Sequence, residues 1–364
     1  LTFLLHLDLL LLAGEQEQHM TMKISWVIFF VTLMASTASA QSKPPAIKGT
    51  GASSMAELYS AWAQDYSKGS PISLTYSGTS SGEGIRAIKA NEVVFGATDD
   101  PLPPEELKNW SIIQIPMVVL GIVPVVNLPK MDANKLHLDE NTLSEIFLNR
   151  IKNWNDPRIA ALNPRLALPS LPITRVVSSA ASGTMGTFTQ YLSLVNQEWK
   201  PLAGLQPRWP GQVVLAKGTD AMVASIQSNP GAIGIVSYDR VQTKELSSVI
   251  LRNANGQFVS ANPESLLAAV KHSGVKTNLN ATLLNVKGEG AWPLTTLTYV
   301  LMKHSADASG MTHEAVKFFS WALRQGDSEI MKAGFIPLPS NVQASAFSTL
   351  MRIKSANGER PALQ

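Results

Sequence analysis

The sequence predicts an α/β protein with largely parallel sheets, on three observations. β-rich apolar runs alternate with segments of helical spacing along most of the chain. Loops of Ser, Thr and Gly join several of those runs to the helix that follows. The 364 residues are 45% apolar and 16% charged, enough to bury a core and to make about two domains.

The elements follow in order. Ile47 starts a short strand expected to end in a turn at Gly49-Thr50-Gly51. Met55, Leu58, Tyr59, Trp62 and Tyr66 then recur at spacings of three and four, which is one face of a helix. Ile72 to Tyr76 reads as a strand, Gly78 to Gly82 as a loop, and Ile85, Ala87 and Ile88 as a second helix. Val93 to Ala97 is a strand that stops at Thr98-Asp99-Asp100-Pro101. Ile112 to Ile115 and Val118 to Val126 are two further β-rich runs. Leu143, Ile146 and Phe147 predict a helix continuing toward Trp154. The pattern then returns: a strand at Ile173 to Val177, a loop at Ser178 to Gly183, and a helix carrying Phe188, Tyr191, Leu192 and Leu194. Ala221, Val223, Ala224 and Ile226 read as helix, turned by Asn229-Pro230-Gly231 into the strand Ala232 to Val236. Leu297 to Met302 is a strand, and Val316, Phe319, Ala322 and Leu323 share a helical face. Trp62, Trp292 and Trp321 lie in apolar patterns and are expected in the core.

The start of the chain reads as an export signal. Met22 and Lys23 precede an apolar run from Ile24 to Met34, followed by Ala38-Ser39-Ala40. The run is shorter than the roughly 20 residues a membrane span needs. Residues 1–40 are therefore expected to be an upstream extension plus a cleavable signal peptide. Translation would start at Met20 or Met22 and cleavage would follow Ala40. Gln41 to Pro45 would be a short linker, and the mature protein would be periplasmic or secreted further.

Composition narrows the function classes. The formal net charge is +3, with no basic run, so a nucleic-acid partner is not expected, whereas a small anion suits the balance. Cysteine is absent, which excludes disulfides, cysteine–zinc sites, a thiol nucleophile and a lipidated N-terminal cysteine within these residues. His6, His19, His137, His272, His304 and His313 are scattered without metal-ligand spacing, so no metal or cofactor is expected.

Three strand-to-helix junctions could carry chemistry: Gly51-Ala52-Ser53-Ser54, Thr79-Ser80-Ser81-Gly82 and Ser182-Gly183-Thr184. A helix N-terminus presents unpaired N–H groups and about half a positive charge. Hydroxyls there can cap the helix or donate to an oxyanion, and three together could converge on one ion. Ser80 with Glu83 fits a capping box. Asp99 ends a strand where open α/β sheets bind ligands; a carboxylate beside an anion makes sense if the anion carries a proton to give it. Gly78-Thr79-Ser80-Ser81-Gly82 also fits the G-x-S-x-G elbow, which would make Ser80 a hydrolase nucleophile with a partner among His272, His304 and His313. Gly49 to Ser54 lacks the last glycine of a dinucleotide loop and the lysine of a P-loop.

Taken together, these segments resemble the periplasmic phosphate-binding proteins, the solute-binding components of bacterial ATP-binding-cassette phosphate importers. The likeness is carried by Gly49-Thr50-Gly51-Ala52-Ser53, Phe95-Gly96-Ala97-Thr98-Asp99 and Ile151-Lys152-Asn153-Trp154. It continues in Ser182-Gly183-Thr184, Pro230-Gly231-Ala232-Ile233-Gly234, Ala291-Trp292-Pro293 and Lys317-Phe318-Phe319. The resemblance implies a type II periplasmic-binding-protein fold, two α/β lobes joined by crossing hinge strands near Met117 to Gly121 and Gly290 to Leu294. Lobe 1 would hold residues 46–118 and 292–364, and lobe 2 residues 119–291. It further implies a monomeric, non-enzymatic receptor that takes phosphate or a similar small oxyanion, works without a cofactor and delivers to a membrane permease. The implied ligand residues are Ser53, Ser54, Ser81, Asp99, Ser182, Gly183 and Thr184, with Asp99 accepting the proton of the bound ion. One departure stands out. The family typically has an arginine four residues before the serine of Ser-Gly-Thr and an aspartate two before it; here those positions are Ser178 and Ala180. Arg175, an odd number of residues from Ser178 on the same strand, is expected on the opposite face and is no replacement. Two readings follow: an ion held by hydroxyls, N–H groups and helix ends, or a degenerate paralogue with weak or no phosphate binding and an interaction, sensing or secretion role.

Overall fold

The computed structural model describes residues 46–129, 135–243, 246–305 and 310–354. The expected signal peptide, its cleavage point, the linker and the proposed translation starts lie outside the described residues. Among the described residues no helix is long and apolar enough to cross a membrane.

Strand β1 (Ala46–Gly51) leads through a 3-10 turn (Ser53–Met55) into α1 (Ala56–Tyr66). β2 (Ser73–Gly78), α2 (Ser81–Lys89), β3 (Phe95–Thr98) and α3 (Pro104–Asn109) follow. β4 (Ile112–Val126) is long, and β5 (His137–Leu138), α4 (Glu140–Phe147) and α5 (Pro157–Leu162) come after it. β6 (Thr174–Ser178), α6 (Gly183–Val195), β7 (Val214–Ala216), α7 (Thr219–Ser228), β8 (Ala232–Ser237) and α8 (Tyr238–Thr243) form the second series. β9 (Ile250–Arg252), β10 (Phe258–Val259), α9 (Pro263–His272) and β11 (Thr295–Lys303) lead to α10 (Met311–Gln325), α11 (Asp327–Lys332), β12 (Ile336–Pro337) and α12 (Ser340–Leu350).

One sheet runs in the order β2-β1-β3-β11-β4-β8-β6-β7, with β12 also on β4; β10, β9 and β5 form a small second sheet. The expectation of largely parallel pairing holds only at the two ends. β1 pairs parallel with β2 and β3, and β6 with β7 and β8. The centre is antiparallel, because β11 returns from far along the chain between β3 and β4, and β4 meets β8 head to tail. Sequence spacing cannot reveal a strand inserted from that distance.

β4 joins the two ends. Its segment Ile112 to Gly121 pairs with β11, and Ile122 to Val126 pairs with β8. At the switch, Ile122 N donates to Leu294 O at 2.8 Å and Trp292 Nε1 donates to Ile122 O at 3.0 Å. The two β-rich runs expected here are one strand. Pro116 has no N–H for the ladder, yet it sits beside a register shift that puts Pro116 opposite Tyr299 and Val118 opposite Thr298. A bulge is where a sheet tolerates proline.

Two other expectations change. Gly49-Thr50-Gly51 is strand, not turn, paired on both sides; a Cβ on Gly49 would lie 2.0 Å from the Phe95 ring, so the glycine is there for space. The helix at Leu143 stops at Phe147 rather than running toward Trp154, because Asn149 takes a left-handed φ of 64° that ends it. Trp62 and Trp292 are fully buried as expected, while Trp321 is half-buried.

Candidate functional site

The strand-to-helix junctions meet at one place. A cavity of about 40 Å³ is lined by Ser53 and Ser54 after β1, Ser80 and Ser81 at α2, Asp99 after β3, and Ser182, Gly183 and Thr184 at α6. A single buried water needs about 10–15 Å³, so the space suits a small polyatomic ion. All seven residues singled out in the sequence line it.

Each junction is held by its own local bonds. Ala52 N donates to Ala97 O at 3.0 Å, which fixes the first turn beside β3. Ser53 Oγ lies 3.1 Å from Thr219 Oγ1, a hydroxyl pair reaching from the first junction to α7. Ser80 caps α2 by accepting from Glu83 N at 3.2 Å. The Glu83 carboxylate turns instead to Arg86, so the reciprocal half of the expected capping box is not made. Ser80 Oγ serves as a cap, and none of His272, His304 and His313 is among the residues that line the cavity with it. Ser81 Oγ accepts from Asp99 N at 3.3 Å. Ser182 caps α6 by accepting from Met185 N at 3.4 Å, and its own N–H goes to Leu205 O at 2.9 Å. Ser182 therefore shapes the junction, while Gly183 and Thr184, at the first helical positions of α6, have N–H groups with no intrahelical acceptor.

Close approach decides the third junction. A Cβ on Gly183 would lie 2.4 Å from Ser81 Oγ and 2.9 Å from Asp99 N. Nearby, Gly82 N donates to Ala181 O at 2.9 Å and Thr187 Oγ1 donates to Asp99 O at 3.0 Å. The junctions after β2, β3 and β6 thus touch directly, and only a residue without a side chain fits at position 183.

Asp99 is the one ionisable residue in the lining. It is buried, at 2% exposure. Its Oδ2 accepts from Ser54 Oγ at 3.0 Å, while Oδ1 is buried with no hydrogen-bond partner. Burial pushes its carboxyl up to about 7; the Ser54 hydroxyl pulls it down, Asp239 and Asp100 push it up, and the Thr184 hydroxyl pulls it down again.

Ser178 and Ala180 also line the cavity. Ser178 Oγ accepts from Ala180 N at 3.1 Å, closing a small local turn. Arg175 points away, as the odd offset predicts: its guanidinium donates to Phe147 O and Gln212 O at 2.6 and 2.8 Å. Sequence reasoning missed a fourth junction, where Gly218 and Thr219 open α7, and also Ser237 at the end of β8. Lys217-Gly218-Thr219 is the available signal, but β7 before it is too short to stand out as a strand. Among the described residues no group of His, Asp or Glu is placed to hold a metal ion.

A family profile described as "PBP superfamily domain" matches residues 37–325. The phosphate-binding protein PstS of Haemophilus influenzae is 37% identical over 301 residues, covering 81% of this chain and 90% of that protein. The chain belongs to the PstS phosphate-binding protein family. PstS of Xylella fastidiosa is 36% identical over 306 residues, 83% of this chain and 84% of that protein. The solved phosphate-binding protein of Stenotrophomonas maltophilia shares the fold, with a TM-score of 0.62 at 19% identity, over 83% of this chain and 93% of that one. The type II periplasmic-binding fold expected from the resemblance is the fold observed, with its sheet passing from one α/β half to the other through β4. Against the PstS pattern in the resemblance, Ser178 and Ala180 leave this member of the family without a cationic side chain in the cavity lining.

Proposed function

We propose that this chain is an exported solute-binding protein that holds inorganic phosphate between two lobes and delivers it to an ATP-binding-cassette importer. The observation that carries the reading is the cavity itself: hydroxyls and helix-start N–H groups from successive junctions surround a buried carboxylate with one oxygen unsatisfied. That oxygen is an acceptor suited to the proton of a hydrogen phosphate. The PstS relatives, at 37% and 36% identity over most of their length, support phosphate over the degenerate-paralogue alternative.

The ligand set is Ser53, Ser54, Ser81, Asp99, Gly183 and Thr184, with Ser182 as the cap that orders α6, and Thr219 as an addition from the fourth junction. The lobes divide as residues 46–118 with 292–364, and 119–291; the switch of β4 between partners at Gly121 and Ile122 supports that boundary. Binding and release would turn on bending at this switch and at Leu294. The protein works as a monomer, without catalysis, and meets a membrane permease. Its export rests on the signal-like segment ending at Ala40, which would place it in the periplasm.

Thermal unfolding with and without phosphate tests the assignment. A ligand that binds only the folded state raises the melting temperature with concentration, by about 2.7 kcal/mol of stability at a hundred times its Kd. A melting temperature indifferent to millimolar phosphate at pH 7 would overturn it.

A further inference from the structure

We propose that the cavity takes its oxyanion singly charged, and that a doubly charged ion enters only together with one proton from solvent. The inference rests on the phosphate reading above and adds the ionisation state to it.

The lining sets the charge balance. Apart from Asp99 it consists of Ser, Thr, Gly, Ala, Met, Ile and Val. No cation belongs to it. Arg175 is committed to two carbonyls behind β6. Arg240, buried on α8 after β8, is held by Asp239 Oδ2 and Glu57 Oε1, each at 3.0 Å, and by Asp220 Oδ1 at 3.5 Å. The ionisable groups facing Asp99 are all acids. Asp100 adjoins it in sequence and Asp239 acts on it from α8. Tyr59 on α1 and Tyr76 on β2 are both held neutral by burial and by the Asp99 charge. The positive potential comes from the starts of α2, α6 and α7, each equivalent to about half a charge. Together they offset about one and a half negative charges, of which Asp99 itself takes one.

Asp99 Oδ1 supplies the second argument. It is buried, with no hydrogen-bond partner within bonding distance. A bound ion can satisfy it only with an O–H. A dianion with a single proton can do so too, but it adds a second uncompensated negative charge to a buried site, which is costly. The ion with one proton more satisfies Oδ1 and removes that charge.

The balance is simple. Above the second ionisation of phosphate, where Asp99 is ionised as well, hydrogen phosphate, one proton and the ionised carboxylate give a complex of the singly charged ion with Asp99. No covalent bond other than that to the proton changes. Whether the proton resides on the ion or on Asp99, the complex holds one proton more than its separated parts.

Calorimetric titration with inorganic phosphate between pH 7 and pH 9, in two buffers of different protonation heat, tests this. The expected result is an affinity that falls about tenfold per pH unit at the alkaline end, with uptake approaching one proton per ion. In Asp99→Asn the carboxylate charge is gone, and the uptake at pH 8.5 should disappear. An affinity that stays level to pH 9 without proton uptake overturns the inference and leaves the phosphate assignment standing; so does uptake that persists in Asp99→Asn. No binding at any pH overturns both.

Discussion

Asp99 and Arg240 are both buried charged residues beside the same cleft, and their surroundings differ sharply. Asp99 has a hydroxyl on one oxygen, no partner within bonding distance of the other, and acids as its charged neighbours. Arg240 has three carboxylates, drawn from α1, α7 and its own helix. The fold is thus able to bury a guanidinium, but it binds that charge in an ion cluster and leaves the cavity lining without a cation. Arg240 ties α1, α7 and α8 together, while Asp99 lines the cavity with one oxygen unpartnered.

Four predictions would break or sharpen that contrast. The largest effect is expected at Arg240. Arg240→Met would leave the buried Asp239 without its cation and lower stability by about 3–5 kcal/mol, read as a drop in the denaturant midpoint. The double variant Asp239→Asn/Arg240→Met should recover much of it, since removing both charges leaves neither stranded; a double variant as unstable as the single one would refute the tie.

Asp99 should behave in the opposite sense. Its carboxyl lies at about 7 in the folded protein against an ordinary 3.8. Between those values the folded state holds a proton that the unfolded state has released, so stability falls as pH rises through the window and levels off above about 7. Asp99→Asn is therefore expected to stabilise the protein at pH 8 by on the order of a few kcal/mol and to do little at pH 4. Equal effects at both pH values would mean that burial does not raise this carboxyl.

Gly183→Ala comes next. The new methyl would press on Ser81 Oγ and the Asp99 backbone, and phosphate affinity should fall by about ten- to a hundredfold, or roughly 1.4–2.7 kcal/mol. Calorimetry showing unchanged affinity would mean that the junctions do not need to close so tightly. The smallest effect belongs to Glu57→Ala. Its side chain is 64% exposed, and a pair of that kind contributes about 0–1 kcal/mol. A loss well beyond that in thermal unfolding would make Glu57 the main anchor of Arg240, rather than Asp239.

Much of the site was legible because its chemistry is local. Ser53, Ser81 and Thr184 sit where strands run into helices, and a strand end followed by Ser, Thr and Gly is a short-range signal. Asp99 was legible for the same reason. Thr219 was not, because the strand before it has only three residues and gives no period to read. The Arg240 cluster was not legible either: Glu57 and Arg240 are 183 residues apart, and no spacing rule links them. The central antiparallel pairing was hidden by the same distance, since β11 comes back from the far end of the chain to lie between β3 and β4.

The sequence by itself determined the alternation of strands and helices, the small-residue helix starts, and the absence of an arginine at position 178. These depend on side-chain size, periodicity and capping within a few residues. Only the tertiary structure decided that the junctions meet, that Asp99 keeps an unsatisfied oxygen, and that Arg240 is tied up elsewhere. Those outcomes depend on which buried groups find a partner after the chain has closed on itself, and a charge removed from water is governed by its neighbours in space rather than along the chain.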